Sequence, residues 1–224
     1  MAGGRDGPWN ERRLADFHNR RAASGADQPP PGSRAEQCER FIALLKSEGR
    51  HSVLEVGAGA GLDGLKFVRA GIHYTGVDPS EGQVQRARSR GLDVSVASAG
   101  GLPFPAESFP AVWSMSALLH VPASDIHTVL GELVRVTAPG SPIAVSLWSG
   151  DYEQVPDPED DAGPRYFSQR SEAGVTEVFG RHGTVEDLAM WPRDSGAGRG
   201  PGAGNRRQQY QFLVLRTPSR GAPN

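Results

Sequence analysis

An apolar run ending in three alternating glycines constrains this chain more than any other feature. Residues 53–61 read Val-Leu-Glu-Val-Gly-Ala-Gly-Ala-Gly. The apolar run predicts a buried strand. Glycine has no Cβ, so the main chain can turn tightly and lie directly against a ligand. Helical spacing begins at about residue 61. The glycines therefore sit at a strand-to-helix turn, where the first N–H groups of a helix and the positive end of its dipole would face an anion. A dinucleotide fingerprint, GxGxxG, would require glycine at position 62, which is Leu62. A P-loop is excluded because no Gly-Lys-Ser/Thr follows. A second acid, Asp78, ends the next apolar run. An α/β nucleotide site places its ribose-binding carboxylate there, about 20 residues beyond the glycines. Capping of the following helix is the other role an Asp fills at that position.

Beyond the glycines the pattern alternates. Strands are expected at 52–57, 72–78, 93–97, 110–115 and 142–148. Amphipathic helices are expected at 61–70, 80–90 and 123–138. Such alternation predicts βαβ units and a mainly parallel sheet with helices on both faces. A helix is expected over 34–49, ahead of the first strand. A polar, Arg-rich helix is expected over 9–24, ended by the consecutive prolines of 29–31. After residue 148 the character changes. Residues 150–164 carry six acids and no base, which predicts an exposed loop. A helix near 170–182, a strand near 184–191 and a last strand over 208–216 follow. Two neighbouring strands without a crossover helix predict an antiparallel pair.

The chain has 224 residues, which suits one domain, and a formal net charge of −2, without a Lys/Arg cluster. The electrostatic footprint of a nucleic-acid binder is therefore missing. A single cysteine, Cys38, excludes an internal disulfide and a cysteine-rich metal site. No apolar run approaches the ~20 residues of a membrane span, and no leader-like apolar segment opens the chain. The expectation is a cytoplasmic protein, monomer or homodimer, with a small-molecule partner, no nucleic acid, no membrane and no metal.

Together these segments resemble class I S-adenosylmethionine (SAM)-dependent methyltransferases, particularly the small-molecule type with a ubiquinone-biosynthesis-like core. VLEVGAGAG is similar to their motif I and YTGVDPSEGQVQRAR to motif II. GLPFPAESFPAVWSMSALLHVP is similar to the segment around strand four. ELVRVTAPGSPIAVSLW is similar to the segment entering strand five. The resemblance implies a Rossmann-like seven-stranded sheet of order 3-2-1-4-5-7-6 with strand 7 antiparallel. It implies a domain over 37–217, flanked by a tail and lid helix over 1–36 and a tail over 218–224. SAM would be the cofactor and S-adenosylhomocysteine the product. Glu55, Gly57, Ala58, Gly59 and Gly61 would face the methionine part. Asp78 would hold the ribose, Pro79 with Ser98 and Ala99 would flank the adenine, and Ser114 or Met115 would line the sulfonium end. Three positions depart from the family pattern: Ser98 stands for the usual acid after strand three, Pro110 for an Asp, and Ser141 for a Gly.

The activity implied is methyl transfer to an O, N or C nucleophile of a small molecule. A protein acceptor and a non-catalytic SAM-binding role are the alternatives. Aligning the reactants supplies about 7–11 kcal/mol, and a hydroxyl or ammonium acceptor also needs a base. His120, just past strand four on the carboxyl edge of the sheet, fits that role. Hydrogen bonding that closes the pocket is its structural alternative. Substrate contacts are expected from Trp9, Phe17 and His18 in the N-terminal helix, Trp148 and Tyr152 after strand five, and Arg165 and Tyr166. His18, His51, His73, His127 and His182 show no partner pattern and read as surface or packing residues.

Overall fold

The computed structural model describes residues 11–24, 32–150, 153–154, 166–192 and 209–221. Two helices come first, α1 (Glu11–Ala23) and α2 (Gly32–Ser47). The alternating core follows: β1 (Ser52–Val56), α3 (Leu62–Arg69), β2 (His73–Asp78), α4 (Glu81–Ser89), β3 (Val94–Val96), β4 (Val112–Met115), α5 (Ile126–Val136) and β5 (Pro142–Ser149). The remaining elements are β6 (Glu153–Gln154), β7 (Phe167–Arg170), α6 (Glu172–Gly180), β8 (Thr184–Pro192) and β9 (Gln209–Arg216).

Strands β3-β2-β1-β4-β5 pair in parallel in that order. β9 runs antiparallel to β5, and β8 antiparallel to β9. Counting β8 and β9 as the sixth and seventh long strands gives the expected order 3-2-1-4-5-7-6. Two short strands were not anticipated. β7 pairs in parallel with the end of β5, Trp148 opposite Gln169, and β6 pairs antiparallel with β7.

The period-2 alternation of the strands builds the two faces. Leu54, Val56, Ile143, Val145, Leu147, Leu213 and Leu215 point to one core, closed by α5 and by Val175 and Phe179 of α6. Val53, Ala144, Phe212 and Val214 point to the other, closed by Cys38, Phe41 and Leu45 of α2, Phe67 of α3, and Val84 and Ala87 of α4. Burial pushes the Cys38 thiol up to about 12, so it remains a protonated packing group.

Two sequence departures meet at one side chain. Arg50 donates to the carbonyl of Pro110 at 3.1 Å and to the Ser141 hydroxyl at 2.6 Å. Pro110 precedes rather than opens β4, where its missing N–H costs no ladder bond. The Glu132–Arg135 pair of the ELVRV segment has an equally local purpose. Arg135 donates to the carbonyls of Phe104 and Leu102, and Glu132 accepts from Leu102 N–H at 2.9 Å. Helix α5 thus grips the loop that leads from β3 into β4.

Among the described residues no helix is long and apolar enough to cross a membrane, and no cluster of three metal-ligating side chains occurs.

Candidate active site

The three glycines of the β1–α3 turn all adopt left-handed φ values, each for a different reason. At Gly57 (φ 81°) a Cβ would fall 2.4 Å from the Cβ of Ala117, so the turn must be bare to let the β4 loop approach. At Gly61 (φ 79°) it would meet Leu92 at 2.3 Å and Ala87 at 3.2 Å, where α3 begins against α4. At Gly59 (φ 53°) it would meet nothing within 4 Å. Gly59 is also among the residues lining a cavity of about 140 Å³ at the carboxyl ends of the parallel strands.

Four segments of the sheet edge line the cavity, and one helix closes it. Val56, Gly57 and Gly59 come from β1 and its turn. Asp78, Pro79 and Gln83 come from the β2–α4 junction, and Ala97 and Ala99 follow β3. Ser116, Ala117, Leu118, His120 and Val121 follow β4. Glu11, Leu14 and His18 come from α1.

Asp78 ties the turn together. Its carboxylate accepts from Gly59 N–H at 2.8 Å and from Ser80 N–H at 2.9 Å. Burial raises its pKa to about 6, against the two N–H bonds that favour the charged form. Three more of the turn's amides are also used internally. Gly57 and Ala58 N–H both donate to Val77 O, and Gly61 N–H donates to Ala58 O. The amides of Gly57, Ala58, Gly59 and Gly61 are thus not presented to an anion. Nor does any Lys or Arg line the cavity among the described residues, whereas Glu11 and Asp78 do.

A short 3-10 turn, Leu118–His120, follows β4. Ser116 before it is left-handed (φ 57°) without being glycine, and its N–H donates to Ser146 Oγ at 2.9 Å. Strained backbone of this kind collects at functional sites. The turn aims His120 at the cavity. Its Nδ1 lies 2.8 Å from the carbonyl oxygen of Tyr166. A carbonyl only accepts, so Nδ1 carries a proton directed at it. Phe167 packs against the ring at 4.9 Å, and Trp148 stacks on Phe167 at 4.6 Å.

Of the expected cofactor-side residues, Gly57, Gly59, Asp78, Pro79 and Ala99 line the cavity; the others are placed elsewhere. Glu55 points to the opposite face of the sheet and accepts from the Tyr74 hydroxyl at 2.6 Å. Burial, with the neighbouring Asp63 charge, pushes its carboxyl up to about 8. Ala58 and Met115 are packed in the α2–α4 core. Gly61 is committed to helix packing. The Ser98 hydroxyl accepts from Gly100 N–H, and the Ser114 hydroxyl donates to Val56 O at 2.9 Å, joining β4 to β1. After β4 it is Ser116 and Ala117, not Ser114 or Met115, that line the cavity.

On the acceptor side, His18 lines the cavity, its ring 6.2 Å from that of His120. Phe17 supports it edge-on at 5.2 Å. Trp148 and Tyr166 stand behind His120. Trp9, Tyr152 and Arg165 lie outside the described residues. His127 and His182, expected without partners, face each other with ring nitrogens 2.9 Å apart. Sequence reading missed Glu11, Leu14, Val56, Gln83 and Ala97, together with Ser116, Ala117, Leu118 and Val121. The strand-end rule that selected His120 applies equally to the last four. Nothing in sequence spacing brings α1 over the edge.

Residues 53–140 match the family model described as a methyltransferase domain. The 27-O-demethylrifamycin SV methyltransferase of Amycolatopsis mediterranei is 32% identical over 129 residues, 54% of this chain and 45% of that protein. The sterol 24-C-methyltransferase ERG6B of Gibberella zeae is 35% identical over 105 residues, 43% of this chain and 27% of that protein. The chain thus matches half or less of the length of these curated relatives. Among solved structures, Burkholderia thailandensis 1,6-didemethyltoxoflavin-N1-methyltransferase, determined with bound 1,6-didemethyltoxoflavin and S-adenosylhomocysteine, superposes with a TM-score of 0.66. The superposition covers 98% of this chain and 94% of that one at 19% identity.

Proposed function

We propose that this chain, whose residues 53–140 match a methyltransferase domain, is a class I SAM-dependent methyltransferase that transfers the methyl group of SAM to a small-molecule acceptor. One observation supports this reading most directly: Gly59 and Asp78, hydrogen-bonded at 2.8 Å, both line the cavity whose far wall holds His120. When bound, SAM supplies a methyl group made electrophilic by the neighbouring sulfonium. Asp78 would hold the ribose hydroxyls, and Pro79, Ala97 and Ala99 would flank the adenine. The bare backbone at Gly57 and Gly59 would lie against the amino-acid end. The absence of cations from the described lining and the presence of Glu11 and Asp78 suit a positively charged nucleoside.

The printed names of the relatives refer to O-, C- and N1-methylation, so the acceptor atom is argued from the site. His120 would act as the proton acceptor, its ring oriented by the Nδ1 bond to Tyr166 O. That arrangement serves an acceptor that must lose a proton, a hydroxyl or an amine. The carbonyl also stabilises the imidazolium that results. Gly57, Ala117 and Val121 exclude water around the transfer.

Calorimetry with S-adenosylhomocysteine tests the cofactor assignment, with micromolar binding expected. Incubation with methyl-labelled SAM and a panel of phenols and amines tests transfer. His120→Gln should lower turnover at least a hundredfold, within the usual ~10²–10⁴ range of general base catalysis. It should change S-adenosylhomocysteine affinity less than threefold. Equal loss of both would assign His120 to pocket structure, and no binding of S-adenosylhomocysteine to the unaltered chain would overturn the reading.

A further inference from the structure

Helix α1 lies outside the stretch matched by the family model, yet it contributes Glu11, Leu14 and His18 to the cavity. Its seat is the first turn of α4. The Asn19 side-chain oxygen accepts from the Ser80 hydroxyl at 2.7 Å and from Gly82 N–H at 2.8 Å. The first N–H groups of a helix have no partners of their own. Ser80 satisfies one of them by accepting from Gln83 N–H at 3.3 Å, and Asn19 satisfies another from a different helix. The same turn is shaped to receive it. A Cβ on Gly82 would meet Ala22 Cβ at 3.1 Å, Asn19 Oδ1 at 3.2 Å and Asn19 Cα at 3.4 Å. Gly82 has an ordinary helical backbone, so what requires glycine there is the approach of α1. Arg86 completes the seat by donating to Ala22 O at 2.7 Å.

This seat is continuous with the cavity in both directions. Ser80 N–H donates to Asp78, which accepts from Gly59. On the other side Asn19 is followed back along the chain by His18, whose ring stands 6.2 Å from that of His120. We propose that Asn19 is a positioning residue: it seats α1 on the first turn of α4 and thereby holds His18 against His120 over a bound molecule. Asn19 touches neither reactant. It acts through His18 and through closure of the cavity, and that second role rests on the methyl-transfer reading above.

Two variants separate this from a general loss of fold. Asn19→Ala removes the acceptor, and Gly82→Leu blocks the seat while leaving Asn19 in place. Asn19→Asp is the rescue, because a carboxylate accepts from the same two donors and suits a helix N-terminus. Trypsin cleavage after Arg20 and Arg21, followed by mass spectrometry of the full chain, reads the seating of α1. Stopped-flow release of S-adenosylhomocysteine reads closure. Asn19→Ala and Gly82→Leu should each speed cleavage and release at least tenfold, with the main thermal transition within about 3 °C of the parent. Asn19→Asp should restore both rates to within threefold. Unchanged cleavage in both variants would overturn the assignment, and so would faster cleavage with unchanged release. If the unaltered chain bound no S-adenosylhomocysteine, the methyl-transfer reading would fail, while cleavage would still decide whether Asn19 seats α1.

Discussion

At the scale of single residues, two buried carboxylates carry opposite assignments. Asp78 lines the cavity and its pKa is raised to about 6. Ribose hydroxyls donate to the charged form, so S-adenosylhomocysteine affinity should fall as pH drops through about 6. Asp78→Asn should weaken binding more than tenfold at pH 7.5, a loss above ~1.4 kcal/mol, and should flatten that pH dependence. Calorimetry at several pH values measures both. Glu55 is buried away from the cavity, with its carboxyl raised from 4.5 to about 8. The folded state holds a proton there that the unfolded chain releases above about 4.5, so this group makes stability fall as pH rises from about 5 to 8. Glu55→Gln keeps an oxygen for the Tyr74 hydroxyl and removes the titration. Its melting temperature should gain on the parent progressively toward pH 8, with cofactor affinity unchanged. A large loss of affinity would return Glu55 to the methionine end of the cofactor.

Among elements, the β1–α3 turn separates binding from stability. Alanine at Gly59 meets no neighbour and incurs only the left-handed backbone cost, about 1–2 kcal/mol. It occupies the open space in front of the turn, so S-adenosylhomocysteine binding should be lost while the chain stays folded. Alanine at Gly61 meets Leu92 and Ala87. It should destabilise by about 2–4 kcal/mol, adding the overpacking cost, and leave affinity in the surviving folded fraction unchanged. Urea unfolding and calorimetry on the same preparations measure the contrast. The glycine spacing was legible in the sequence; which glycine serves the ligand and which serves packing was not, because that depends on what stands opposite each Cβ.

For the molecule as a whole, α2 is locked to the sheet by a buried ionic cluster. Arg34 Nε lies 2.7 Å from Asp63 Oδ2, Lys66 lies 3.3 Å from Oδ1, and Trp113 Nε1 donates to the same carboxylate at 3.1 Å. Arg34, first among the ionic and hydrogen-bonding partners, holds the Asp63 carboxyl below its usual range against the cost of burial. Arg34→Met should cost about 3 kcal/mol by leaving a buried carboxylate short of a partner, measured by denaturant unfolding. The loss should appear as pH falls toward the carboxylate range in the parent as well, because a lowered acid pKa stabilises only above it. Helix α1 is attached differently: it hydrogen-bonds to Ser80, Gly82, Gln83 and Arg86 at and within α4, and none of its residues is buried. The core and its closing helix are therefore separable in stability.

Local periodicity by itself determined the parallel core. Each strand of β1–β5 is a short apolar run and each intervening helix an amphipathic one, and period is a property of neighbours in the chain. Glycine spacing and the acid at Asp78 marked the ligand edge for the same reason. Tertiary structure alone decided the rest. It turned Glu55 and Ser114 away from the cavity, since a side chain's face depends on strand register. It paired the short strands β6 and β7, too brief to show a period. It also carried His18 of α1 to within 6.2 Å of His120, a contact between residues about a hundred positions apart that forms only when helices pack.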